Sequence, residues 1–146
     1  HNPFKAVYAS DRRSVYLMTQ RIQRHPYLAI FDGADPSTST PARPTSTTPL
    51  QALFLLNDSL VHDQAARFAT RIQRAAADTP SRLALAYELA LSRPPTEPES
   101  AAANQFLAAA RERLTASGQS PAEAEAEAWR AYARVLFRLN EFVYLD

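Results

Sequence analysis

A chain of 146 residues, 46% apolar and 21% charged, is long enough for one domain with a sizeable core and too short for two ordinary ones. Two glycines against eleven prolines disfavour an all-β sandwich or barrel, and with no two glycines close together neither a dinucleotide fingerprint nor a P-loop is present. The chain has no cysteine, which excludes a disulfide, a thiolate zinc site, a cysteine nucleophile and covalently attached haem c within these residues, and its net charge of +1 is nearly balanced.

No purely apolar run is longer than that of residues 52–56, far short of the ~20 residues a membrane span needs. The chain opens on His1, Asn2 and Pro3 without an initiator Met or a basic-then-apolar leader, so any export signal is expected either to have been removed or to lie upstream. Residues 1–47 carry six basic and three acidic side chains, and residues 48–146 carry ten and twelve. We therefore expect an irregular Arg/Pro/Ser/Thr-rich segment over 1–47 packing on a helical bundle over 48–146.

In chain order, Ser14, Val15, Tyr16 and Leu17 favour a short strand. Pro26 bars residues 27–31 from continuing any preceding helix, although a short helix can begin there. Residues 32–49 are rich in Asp, Ser, Thr and Pro and read as a long loop, with Asp35 and Pro36 making a turn.

Helix starts follow. Thr48 with Pro49 and Gln51, and Ser120 with Pro121 and Glu123, are capping boxes with proline at the first helical position. Thr96 with Glu99 shares the spacing, and Thr79 before Pro80 reads as a cap without the returning carboxylate. The apolar stripes agree: Leu50, Leu53, Phe54, Val61, Ala65, Phe68 and Ile72; then Leu83, Ala86, Tyr87, Ala90 and Leu91; then Phe106, Leu107, Ala110 and Leu114; and last Trp129, Tyr132, Ala133, Leu136, Phe137, Asn140 and Val143. Asn57, Asp58 and Ser59 predict a break in the first stripe, and Gly118 predicts the end of the helix after Thr96. The expected fold class is mainly α, an antiparallel bundle of four to five helices preceded by the irregular segment.

Candidate chemistry concentrates ahead of the bundle. Asp32, Asp35, Arg43, Ser46, Thr47 and Thr48 gather carboxylates, a guanidinium and hydroxyls in one loop. Arg12, Arg13, Arg21 and Arg24, interleaved with Tyr8, Tyr16 and Tyr27, offer an anion-binding or partner surface. A sequence pI of 8.3 is low for a nucleic-acid module, so no nucleic-acid partner is expected. His1, His25 and His62 share no metal-ligand spacing, and no serine sits in a nucleophile elbow. Glu123, Glu125 and Glu127 read as charge complementing a helix N-terminus. Asn57 and Asn140 fall on apolar stripes and must find backbone partners there. The interface or ligand candidates are Arg12, Arg13, Tyr16, Arg21, Asp32, Asp35, Arg43, Thr47, Gln51 and Asn57.

The run Arg12-Arg13-Ser14-Val15-Tyr16-Leu17, with Arg21, Pro26, Leu28, Phe31-Asp32, Asp35-Pro36, Arg43, Ser46-Thr47-Thr48-Pro49, Gln51-Ala52-Leu53 and Leu56-Asn57, resembles a planctomycete-type domain of unknown function. Tyr87, Leu89-Ala90-Leu91, Arg93-Pro94-Pro95-Thr96 and Leu139-Asn140-Glu141-Phe142-Val143-Tyr144 look like its C-terminal part. Where many members carry a basic pair, this chain has Ala42 before Arg43. The resemblance implies that residues 1–146 together form the C-terminal part of one larger domain, the C-terminal PSD-type domain of a large exported, cytochrome c-linked protein, extracytoplasmic, with the upstream domains of the same polypeptide as partners and haem c held there rather than in this chain. It assigns no catalytic residue. The expected role is a structural and docking scaffold with a ligand-lining loop; the alternative is the substrate-site part of an oxidoreductase, with carbohydrate as a candidate substrate, whose redox centre lies in the upstream domains and whose substrate site is lined by Arg12, Arg13, Arg43 and Asp32.

Overall fold

The computed structural model describes residues 13–21, 25–42 and 46–143. Among them are a 3-10 turn, Ser14–Tyr16, and seven α-helices: α1 Pro26–Ile30, α2 Pro49–Asn57, α3 Ser59–Ala75, α4 Thr79–Leu91, α5 Glu97–Ala116, α6 Pro121–Leu136 and α7 Asn140–Val143. The fold is mainly α, as expected. By contacts the chain divides into a unit of residues 1–52 and a unit of residues 53–146.

In the first unit, the expected strand at residues 14–17 is instead a 3-10 turn, closed by Tyr16 N–H to the Arg13 carbonyl and Leu17 N–H to that of Ser14. Extended propensity becomes a strand only where a second strand pairs with it, and the described residues contain none. Proline opens α1, which ends in a tight return where Gly33 N–H donates to the Leu28 carbonyl at 2.6 Å. A Cβ at Gly33 would lie 2.6 Å from that same oxygen, so glycine is required there.

In the second unit, α3 to α6 form the bundle. Asp58 ends the preceding helix and caps α3, accepting from Leu60 N–H, so the expected break falls where Asn57, Asp58 and Ser59 placed it. The cap of α4 is Asp78 rather than Thr79: its carboxylate accepts from both the N–H and the hydroxyl of Ser81, and the longer reach of the acid displaces Thr79 into the helix. Helix α5 ends in a Schellman motif, with Gly118 at φ +94° donating to Thr115 and Gln119 donating to Leu114. Ser120 and Glu123 form the expected capping box of α6.

Three-residue and four-residue links turn the chain back on itself between α3 and α4 and between α5 and α6. Arg111 meets Glu125 while Phe106 meets Tyr132, so α5 and α6 run antiparallel. Arg82 meets Glu125 while Tyr87 meets Tyr132, so α4 and α6 run parallel. Alternating directions give an up-down bundle. Its core sets small residues, Ala65, Ala69, Ala86, Ala103, Ala128 and Ala133, against Trp129, Tyr132, Tyr87, Ile72, Leu83, Leu107 and Leu136. Alanine lets the helix backbones approach, and the large rings fill what remains.

The last stripe is not one helix. Arg138 and Leu139 donate back three residues to Val135 and Leu136, a turn that closes α6, and Asn140 opens α7 at an exposed position rather than on a buried face. Arg138 in turn donates to the Leu55 and Leu56 carbonyls at the end of α2.

Candidate functional site

The loop after α1 is organised by two side chains. Asp32, in a left-handed backbone conformation at φ 54° that aspartate tolerates, accepts from the Ser46 N–H at 2.8 Å and from its hydroxyl. Gln51, only 3% exposed, accepts from Thr48 N–H at 3.0 Å and donates to the Ile30 carbonyl at 3.0 Å, so one amide caps α2 and ties it to α1. Ser46 is where Asp32 and Gln51 meet, the Gln51 amide reaching its hydroxyl at 3.5 Å. Asp35 accepts from the N–H and hydroxyl of Ser37, making the expected turn.

The other candidates are spread over the surface. Arg13, Tyr16, Arg21 and Thr47 are exposed. Asn57, also exposed, donates to the Leu53 carbonyl, so it has the backbone partner expected of it without the burial. Arg12 and Arg43, together with Tyr8 and Arg24, lie outside the described residues. Arg13 precedes a stretch that presents Val15 at 76% and Tyr16 at 66% exposure.

In α2 the expected apolar stripe is inverted. Its one buried side chain is Gln51, while Leu50 and Leu53 are 63% and 52% exposed and Leu56 is exposed as well, as is Leu60 in the first turn of α3. Burial follows the hydrogen bonds of the amide, which Thr48 and Ile30 satisfy, and leaves leucines three residues apart facing outward. Such a contiguous apolar face is unusual on a surface that meets only water.

Two charged nodes in the bundle were not legible in the sequence. Arg93 forks onto both oxygens of Glu99 and both oxygens of Glu141 at 2.7–2.9 Å and lies 5.5 Å from the centre of the Tyr87 ring. Hydrogen bonds from Arg93, then from Thr96, lower the Glu99 carboxyl from its ordinary 4.5 to about 2, and Arg93 lowers that of Glu141. Glu125, expected to complement the α6 N-terminus, instead accepts from Arg82, Arg111 and the Trp129 indole N–H. Burial opposes its ionisation, but Arg111, Trp129 and Arg82 outweigh that and hold the carboxyl below its ordinary value. Glu127 pairs with Arg130 and Arg134. These carboxylates are saturated with donors and so brace helices rather than poise a proton for transfer.

Among the described residues, no group of three or more His, Asp or Glu is placed to hold a metal ion, and no helix is long and apolar enough to cross a membrane. What the geometry defines is an all-helical domain whose polar groups serve its own backbone and whose apolar leucines are turned outward. The chain belongs to the PSD1 family, described as a protein of unknown function (DUF1553), whose model matches residues 4–107. No curated protein and no solved structure matches it.

Proposed function

We propose that this chain is a structural and docking scaffold within a larger exported, cytochrome-linked polypeptide of planctomycete type, and that its upstream domains are what the scaffold docks. The observation that carries the reading is the outward row Leu50, Leu53 and Leu56 on α2. A helix whose aliphatic side chains face outward while its glutamine is buried is complementary to another apolar surface, and about 25 cal/mol is gained for each Å² of that row removed from water. The sequence resemblance supports an extracytoplasmic setting, with haem c on the upstream part. Asp32 and Gln51, candidates for lining a ligand site, shape the loop that precedes this helix.

The test uses protein purified from its native host. An intact mass above 16.2 kDa, a c-type haem band on dithionite reduction, and slower amide exchange over residues 49–60 than in the isolated chain are expected. A colourless species of 16.2 kDa whose α2 exchanges as it does alone overturns the reading. In the native polypeptide, replacing Leu53 and Leu56 together by Glu should remove the protection of α2 while leaving the melting temperature of the isolated chain within about 2 °C, because both side chains are exposed there.

A further inference from the structure

The outer face of α3 carries Arg67, Arg71 and Arg74, spaced four and three residues apart and therefore stacked on one side of the helix over about 10 Å. All three are exposed, and with Thr70, Ala66 and Ala75 they line an open hollow. None of the three has an ion pair or hydrogen bond to another described residue. Most other arginines of the bundle are engaged: Arg82, Arg93, Arg111, Arg130 and Arg134 each meet a carboxylate and Arg138 meets two carbonyls, while Arg113 on α5 is, like the three on α3, without an ion pair among the described residues. Even Asp63, one turn before Arg67 on the same helix, forms no ion pair with it.

We propose that this arginine face of α3 is a docking surface for an acidic polypeptide segment. Like charges one turn apart repel along a helix, and opposing carboxylates relieve that repulsion while each guanidinium fork matches a carboxylate with two parallel hydrogen bonds. The chemistry of the hollow selects among anions. Its lining contains no aromatic ring on which a base or a sugar could stack, and no large aliphatic side chain to enter a lipid surface. Its floor of Ala66, Thr70 and Ala75 is small enough for a polypeptide backbone to approach. The surface differs from the α2 face in position and chemistry, so either stands if the other fails.

The probe is a fluorescein-labelled peptide of about twelve residues with Glu at matching helical spacing, titrated with the full chain and followed by anisotropy. Saturable binding is expected at about 50 mM salt, weakening at about 200 mM. The triple variant Arg67→Ala, Arg71→Ala, Arg74→Ala should weaken it about tenfold or more, whereas Arg113→Ala, an exposed arginine on α5, should leave it unchanged. Arg71→Glu gives the same loss from a single exposed position if the triple variant does not fold. The proposal is overturned if the peptide does not bind, if these variants bind it as well as the parent, or if a DNA duplex or heparin of equal charge binds more tightly at the same salt.

Discussion

Gln51 shows how one polar residue organises its surroundings. Its carboxamide accepts from Thr48 N–H and donates to the Ile30 carbonyl while almost wholly buried, so the whole desolvation cost falls on any variant that removes it. Gln51→Leu keeps similar volume and should cost about 1–3 kcal/mol, read as a lower midpoint in denaturant, whereas Gln51→Glu should be worse still above neutral pH because a carboxylate cannot donate to Ile30. No loss in the leucine variant would mean that burial, and not the amide, holds α2 in place. Gly33 is constrained in the same neighbourhood by the Leu28 carbonyl, and Asp32 by its two bonds to Ser46.

At the scale of an element, α7 depends on Arg93. A four-residue helix has no stability of its own, and the described link from α7 to the segment after α4 is the fork from Arg93 to Glu141, itself anchored by Glu99. Arg93 follows Ser92, which ends α4 in the left-handed conformation at φ 57°, and that turn aims the guanidinium at both acids. Arg93→Ala should raise amide exchange over residues 140–143 about tenfold or more while α5 and α6 keep their protection. Uniform loss of protection would show instead that the node stabilises the bundle as a whole.

The whole molecule should be acid-labile. Glu99 has its pKa depressed from 4.5 to about 2 chiefly by Arg93, and Glu123, Glu125, Glu141 and Asp78 are also lowered, so in each case the folded state prefers the charged form. For Glu99 that contribution is complete above pH 4.5 and is lost as the pH falls towards 2. The melting temperature should therefore drop over this window, and Arg93→Ala should flatten the drop because the dominant cause of the Glu99 shift is gone. At the other end, burial and the hydrogen bond to Tyr87 raise the Tyr132 hydroxyl, so its contribution is present below pH 10 and fades above it.

The sequence by itself determined the helical class, the alternation of caps and stripes, the break at Asn57 to Ser59, and the stop at Gly118, because these rest on local rules: a side chain reaching the backbone within three residues, or a φ that glycine alone adopts freely. Asp78 taking the cap from Thr79 is the same rule read one residue out of place. What only the tertiary structure decided involves partners distant in sequence. The inverted face of α2 depends on the carbonyl of Ile30, twenty-one residues away, and the node at Arg93 on Glu141, forty-eight away. No period in the chain encodes such pairs. Nor does periodicity distinguish Arg82 and Arg111, drawn to Glu125, from Arg67, Arg71 and Arg74, which meet no carboxylate among the described residues. Which charges are left without a partner is settled only when the helices pack, because packing fixes the separations that make an ion pair.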